Sequence, residues 1–544
     1  MTARDTVATP TAPPHGLRPL TLAPPKAVPR PDAGPAGTSR TDRLLRGGVL
    51  VAALAFIACY LAVALARFNY PYPLEWLEGG VLLHVQRVLH GQPLYGAPAV
   101  RFTPFLYTPL YYYVSAAATW VLGVHLSTLR LVSIAASLVA FGAIGRLVWL
   151  ETRNRWAAVC AVGVFAATFR LSGAWLDLAR VDTLFIALLL VGLLVVRQTR
   201  TWQVAVLAGL VLAASFFAKQ SALLPALAVL PFLWHRNRRL AVVYGATFGG
   251  TLAAVTLAFD RATGGWFSQY TLRLAGQHSL ISSVYVSFWT HDLLRPLALA
   301  LVVGGVGLWS CRRGERGWFW IPVTGGLVLA SYSARLHSGG YNNVLLPVYA
   351  AVALLVGLGL HALTRPELAG RRRRAAQVAL AGMLVAFAFL IYNPFRQIPS
   401  ASATQTGDRL VAALAKLPEP VYLPSQSWLL PAAHPGASTT APSSALDDIL
   451  RGHIRGSDQT LGRALRQLVA SRAYASIVVD RSSVFSYLPA SLAWYYCRVG
   501  ALPKDAILEP WTGTRSAPAT VWMPRTATTA CAGNGPVVRL PGPS

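Results

Sequence analysis

The chain has 544 residues, 54% of them hydrophobic and 12% charged, with 48 Lys and Arg against 20 Asp and Glu for a net charge of +28. A mean hydropathy of +0.47 and repeated apolar runs of bilayer-spanning length exclude an ordinary soluble enzyme. Much of the basic excess lies in short connectors such as 311–316 and 371–374, which is the bias of cytoplasmic loops and not a nucleic-acid surface.

Residues 1–46 are rich in Pro and Ala, basic and without an apolar core, and read as a disordered cytoplasmic tail with no signal peptide of its own. The apolar run 47–66 is the first expected crossing and the uncleaved membrane signal. An outer loop, 67–104, separates it from the second run at 105–123. The loop carries Pro71-Tyr-Pro-Leu-Glu75-Trp-Leu-Glu78-Gly-Gly80, two carboxylates three residues apart that share a face if helical. The stretch 81–90 is helix-compatible and ends at Gly91, a residue suited to a helix C-terminus. Further crossings are expected at 126–150, 183–197, 202–217, 221–234, 240–259, 291–310, 318–334, 344–363 and 375–392, about eleven in all by length. The apolar segment 156–169 is short, and reads as re-entrant or as a continuation of its neighbour. That reading leaves Arg153 and Arg155 on the outer side, against the positive-inside rule.

An odd count places 393–544 outside. There the apolar runs shorten, with helices expected at 407–416, 445–451 and 461–470 and strands at 421–424 and 475–480, the pattern of a small α/β domain. Cys497 and Cys531 both fall in it, where a disulfide is chemically allowed and two free thiols equally so. Cys59, Cys160 and Cys311 have spacings that suit no metal site.

With this topology the unusual polar residues collect on the outer side: Glu75 and Glu78, then Asp177, Arg180 and Asp182, then Lys219 and Gln220, then Arg273 and His278. Ionisable groups at membrane level are costly and mark cavities or bundle interiors by default. Each also has a plainer reading. Lys219 can snorkel to the interface, Asp182 can be a helix N-cap, Glu75 and Glu78 can be solvated, and Arg273 and His278 can be structural.

The order of these features carries a resemblance. After the acidic loop come Gly91-Gln-Pro-Leu-Tyr95, Tyr107-Thr-Pro-Leu-Tyr111, Leu129-Arg-Leu-Val-Ser133, a delayed acid, and Phe216-Phe-Ala-Lys219-Gln-Ser-Ala222. Over roughly residues 47–280 the chain resembles the GT-C glycosyltransferases. Within these it looks like bacterial glycosyltransferase family 39, the relatives of protein O-mannosyltransferases and lipid A aminoarabinose transferases. The resemblance implies transfer of a sugar from a polyprenyl-phosphate donor, with inversion, to a glycan, lipid or protein acceptor on the outer face of a bacterial plasma membrane. It makes Glu78 the general base with Glu75 second, and Asp182 the second acid with Asp177 the poorer match. It sets Lys219 and Gln220 near the carrier phosphate. Tyr107 stands where the aminoarabinose transferases have a Lys, so Arg273 is the expected substitute, with Arg180 and His278 lining the substrate. Apart from the lipid-linked sugar no cofactor is expected, and no metal. A lipid or polysaccharide flippase is the main alternative, and a scaffold with a working outer domain another. A flippase places its polar groups near the bilayer midplane, often in paired repeats, whereas these lie at helix ends and no internal repeat is visible.

Overall fold

The computed structural model describes residues 39–365, 370–482 and 487–532; most of the expected tail lies outside them. Helix α1 (Arg40–Arg67) begins ahead of the apolar run, because Ser39 and Asp42 form a reciprocal capping box that satisfies its first amides. Asp42 is then held by Arg373 at 2.6 Å.

The architecture is a polytopic helical membrane bundle with a small sheet at its C-terminal end. By length and apolarity six described helices qualify as spans, fewer than the eleven or so expected. The others are short, broken by proline or charged at one end. After α1, the outer loop holds α2 (Glu78–Leu89) and α3 (Leu110–Leu122), followed by α4 (Leu126–Thr152), α5 (Arg155–Ala167), α6 (Val181–Gln198), α7 (Trp202–Ala218), the fragments α8 (Leu223–Ala228) and α9 (Leu230–Arg236), and α10 (Arg238–Thr263). Four more rods follow, Arg295–Cys311, Gly314–Leu336, Leu346–Leu363 and Gly370–Phe389.

Ion pairs define the two ends of the bundle. At the basic end Trp156 Nε1 donates to the Arg46 carbonyl at 3.1 Å, Glu151 pairs with Arg197 and with Arg316, and Glu315 with Arg236. At the other, the site end, Arg67 meets Asp177 and Lys219 meets Asp182.

Two sequence expectations are corrected by this geometry. The run 105–123 does not cross. Thr108 before α3 donates to the Phe216 carbonyl at the site end of α7, and Gly123 after it accepts from Thr128 in the first turn of α4. Both ends of α3 therefore lie at one end of the bundle, with Trp120 and Val121 83% and 85% exposed as interfacial anchors. The segment 156–169, in turn, is the helix α5, which joins the two ends: Trp156 touches Arg46, and Phe169 lies under the Arg67 guanidinium. It is short but packs closely on α1, since a Cβ at Gly163 would stand 2.3 Å from Ala53 Cβ, the small-residue contact that lets membrane helices approach. A left-handed Arg153 and an Asn154 cap turn α4 directly into α5. The exchange of α3 for α5 leaves the number of traversals unchanged and moves Arg153 and Arg155 to the basic end.

The rod Leu346–Leu363 is the core, apolar on every face and buried from Leu346 through Leu360, as expected of a helix surrounded by others. It meets Arg295–Cys311 backbone to backbone, with a Cβ at Gly359 placed 2.0 Å from the Val303 carbonyl oxygen.

The C-terminal region forms a four-stranded sheet in the order β1-β2-β4-β3, from β1 (Val421–Tyr422), β2 (Ser476–Asp480), β3 (Tyr496–Ala501) and β4 (Pro518–Pro524). The β1–β2 pairing is parallel and the rest antiparallel. The helices Ala401–Leu414, Ser443–Arg451 and Ser457–Ala470 and strands β1 and β2 fall where the sequence pattern puts them. The β3–β4 ribbon was not anticipated. Cys497 and Cys531 are disulfide-bonded.

Single cysteines at Arg153 and Arg238 are expected to react with a membrane-impermeant maleimide from the same side of sealed vesicles, and one at Arg101 from the opposite side. Labelling of Arg153→Cys together with Arg101→Cys would restore the original reading of 105–123.

Candidate active site

The site end is built from buried charge. Arg67 holds Asp177 through Nε and Nη2 at 2.6 and 2.5 Å. Arg130, one turn into α4, holds Glu78 at 3.0 and 2.7 Å. Arg180, the residue before α6, meets Glu75 at 2.6 Å, and Lys219 meets Asp182 at 2.5 Å. All eight side chains are at most 8% exposed. Removing one member of a buried pair strands the other, at a cost of about 3–5 kcal/mol, so the pairs fix the two acidic loops against the helices.

The two glutamates differ in what remains of them. Both Glu78 oxygens are saturated: beyond the two Arg130 bonds, Oε2 accepts the Leu74 amide at 2.6 Å and Oε1 the Ala179 amide at 2.7 Å. Burial alone would raise its pKa, but Arg130 and these amides outweigh it and hold the carboxyl below its usual range. Glu78 is thus a strut between the two loops, and it does not reach the cavity.

Glu75 uses only Oε2, which accepts from Arg180 Nη1 and from the Leu77 amide at 3.0 Å. Its Oε1 is buried with no hydrogen-bond donor among the described residues. Burial pushes the Glu75 carboxyl up to about 7, against the pull of Arg180 and the Leu77 amide. A carboxylate with a spare oxygen and that affinity is suited to accept a proton near neutral pH. Of the two glutamates, it is Glu75 and not Glu78 that has an oxygen to spare.

Glu75 lines a cavity of about 390 Å³, together with Tyr107, Arg180, Lys219, Gln220 and His278. Six residues expected at the substrate thus meet around one space. Arg180 reaches Tyr107 Oη with Nη2 at 2.9 Å, so one guanidinium orients both the acid and the phenol. Gln220 is fixed by the Leu106 and Thr271 carbonyls at 2.6 and 2.9 Å. Lys219 does not snorkel outward; it is 6% exposed and held by Asp182. Asp182 is not an N-cap either. Its carboxylate receives Lys219, Asn343 at 2.9 Å and the Trp175 indole at 3.1 Å, which makes it the support for the lysine. Asp177 is consumed by Arg67 away from the cavity. Arg273 sits on the exposed face of the wound turn Gln269–Leu274, whose Tyr270 and Leu274 point inward, and it does not line the cavity.

The C-terminal region completes the walls. Asp447, Asp448 and Arg451 enter from the helix Ser443–Arg451. Burial, with Asp447 beside it, pushes Asp448 up to about 8 against the pull of Arg451, and His278 Nε2 lies 3.4 Å from it. Thr512 pairs its amide with the Leu74 carbonyl at 2.9 Å, and Gly513, at φ +78°, packs against Glu75. A Cβ there would stand 2.9 Å from Glu75 Oε1, so this approach requires glycine. Among the described residues no three His, Cys, Asp or Glu side chains cluster as metal ligands would.

The sequence missed Arg130 and Arg67, although an arginine inside an apolar run is itself a signal. Asp447, Asp448 and Arg451 gave none, because charges on a short amphipathic helix look like a solvated face.

No protein-family model matches the chain, and no curated protein matches it in sequence. Among solved structures, ArnT from Cupriavidus metallidurans bound to undecaprenyl phosphate shares its fold. The TM-score is 0.56 at 11% identity, covering 88% of this chain and 99% of that one. The apo state of the same protein gives a TM-score of 0.49 at 12% identity over the same shares. The chain thus shares the fold of that ArnT structure, a polytopic helical membrane fold as the sequence implied.

Glu78→Gln is expected to lower the melting temperature of the detergent-solubilised protein sharply, since Arg130 is left buried without its counter-charge, a loss of about 3–5 kcal/mol. Glu75→Gln should lower it less, because burial already favours the neutral form of Glu75, so that less is lost when Arg180 gives up this partner. The reverse ranking in a thermal-shift assay would overturn the assignment of strut and free acid.

Proposed function

We propose that the protein is a membrane glycosyltransferase that moves a sugar from a polyprenyl-phosphate carrier to an acceptor hydroxyl, with Glu75 as general base. The observation that carries this reading is a buried carboxylate with one oxygen lacking a donor, on a residue that lines a cavity also walled by Arg180, Lys219 and Arg451. The fold match to a protein solved with undecaprenyl phosphate supports the carrier class. The polar residues gather at one end of the bundle, where a lipid headgroup lies, which favours transfer over transport.

In the proposed step the Glu75 carboxylate takes the acceptor O–H proton as the acceptor oxygen attacks the anomeric carbon, a general-base task. The bond from the anomeric carbon to the phosphate oxygen breaks on the opposite face, so the configuration inverts. The electron pair leaves on the polyprenyl phosphate, where Lys219 and Arg180 stabilise the developing charge. Arg180 links the two halves of the reaction, bound to Glu75 on one nitrogen and to Tyr107 on another, with its charge beside the leaving group. Asp182 and Asn343 keep the ammonium aimed into the cavity. No leaving-group acid is required, since a phosphate leaves as its anion, and no metal step is part of the proposal. The arginine-rich end, with Arg153, Arg155, Arg197, Arg236 and Arg316, faces the cytoplasm by the positive-inside rule. The N-terminus is then inside, and the site and C-terminal region are outside a bacterial plasma membrane.

Transfer of radiolabelled sugar from a polyprenyl-phosphate donor in membranes tests the reading. Wild type should transfer, and Glu75→Gln should not. Lys219→Ala is expected to weaken carrier binding by about ten- to a hundredfold, the loss of one charge-assisted contact of roughly 1.5–3 kcal/mol. Lys219→Arg should retain part of it. Turnover by Glu75→Gln at the wild-type rate would remove the base, and normal carrier affinity in Lys219→Ala would remove the phosphate site.

A further inference from the structure

A second cavity, of about 680 Å³, opens at the same end of the bundle beyond the segment that covers Glu75. Trp511 and Thr512 line it, while the next residue, Gly513, abuts Glu75 on the other side. Three chain segments that are distant in sequence each bring an arginine to it: Arg170 from the turn after α5, Arg396 from the turn after Gly370–Phe389, and Arg515 from the C-terminal region. The one carboxylate in the lining is Glu509, already engaged by Arg481 at 2.8 Å. Three arginines thus line a space whose one carboxylate is already paired.

The backbone around this space is fixed. The Trp511 indole donates to the Arg396 carbonyl at 2.7 Å, and Arg67 donates to the Gln397 carbonyl at 3.2 Å. Next to Arg396 the apolar side chains Phe389, Ile391 and Phe395 are 76%, 73% and 79% exposed. In a bundle that crosses a membrane such side chains sit in lipid, so the arginines lie at the level of headgroups. Guanidinium forks match phosphate oxygens bidentately.

We propose that this cavity binds the phosphate of an anionic membrane lipid, with the headgroup between Arg170, Arg396 and Arg515 and the acyl chains along Phe389 and Ile391. The site is separate from the transfer cavity and does not rest on the transferase reading. A lipid anchored there would brace the Thr512–Gly513 segment over Glu75.

Native mass spectrometry of the full-length protein, titrated with phosphatidylglycerol or phosphatidylcholine, tests it. Wild type should retain one phosphatidylglycerol in preference to phosphatidylcholine. The double variant Arg396→Ala/Arg515→Ala should weaken that retention by about tenfold or more, two charge-assisted contacts being lost. The Lys double variant, which keeps the charge, should recover most of it, and Arg273→Ala, exposed elsewhere, should change nothing. Displacement by millimolar inorganic phosphate would assign the site to phosphate alone, and resistance to it would assign the site to the whole lipid. Equal retention of the two lipids by wild type, or unchanged retention in the double alanine variant, would overturn the proposal.

Discussion

Buried charge must be neutralised, and the site end of this protein is organised by that requirement. Arg67, Arg130 and Arg180 are at most 1% exposed, in a setting where an unpaired guanidinium costs several kcal/mol. Each is matched by a carboxylate from a loop with little regular structure of its own. Glu78 joins the first loop to α4 and, through the Ala179 amide, to the second loop. Asp177 joins the second loop to α1, and Asp182 joins α6 to α7 and to Asn343. The loops are held by pairs formed across distances of 37 to 110 residues in the chain, not by local propensity.

Glu75 departs from this economy of charge. It shares Arg180 with Tyr107 and keeps one oxygen without a donor, so its ionisation is less favoured than that of its neighbour three residues on. That difference between two glutamates in one short segment separates an acid fully used in structure from one with an oxygen to spare, as environments that drive two acids apart do elsewhere. The C-terminal region adds to the effect. Gly513 closes over one flank of Glu75, at a position where any side chain would push the carboxylate aside. The region 393–544 therefore acts as part of the site wall.

The membrane class, most helix positions and the convergence of Glu75, Arg180, Lys219, Gln220, Tyr107 and His278 were legible in the sequence, because apolar length and the cost of membrane-level charge are strong signals. The roles within that set were not. Hydropathy treats 105–123 and 156–169 by length alone, so it cannot see that α3 has both ends at one level or that Gly163 lets a short helix cross against α1. The positive-inside conflict at Arg153 and Arg155 was the one trace of that exchange. Register likewise favoured Glu78 over Glu75, since nothing local reveals that Arg130, fifty-two residues on, would consume it. Charge and place in the chain favour Arg273, but its turn faces it outward.

The central claim is that Glu75 is an acid whose proton is exchanged near neutrality while Glu78 stays ionised. Infrared difference spectroscopy of the protonated carboxyl C=O band, with pH titrated in the purified protein, measures this directly. The account predicts a band that disappears with a midpoint near pH 7 and is absent from Glu75→Gln. A wild-type spectrum without such a band, or a band that persists unchanged in Glu75→Gln, would contradict it.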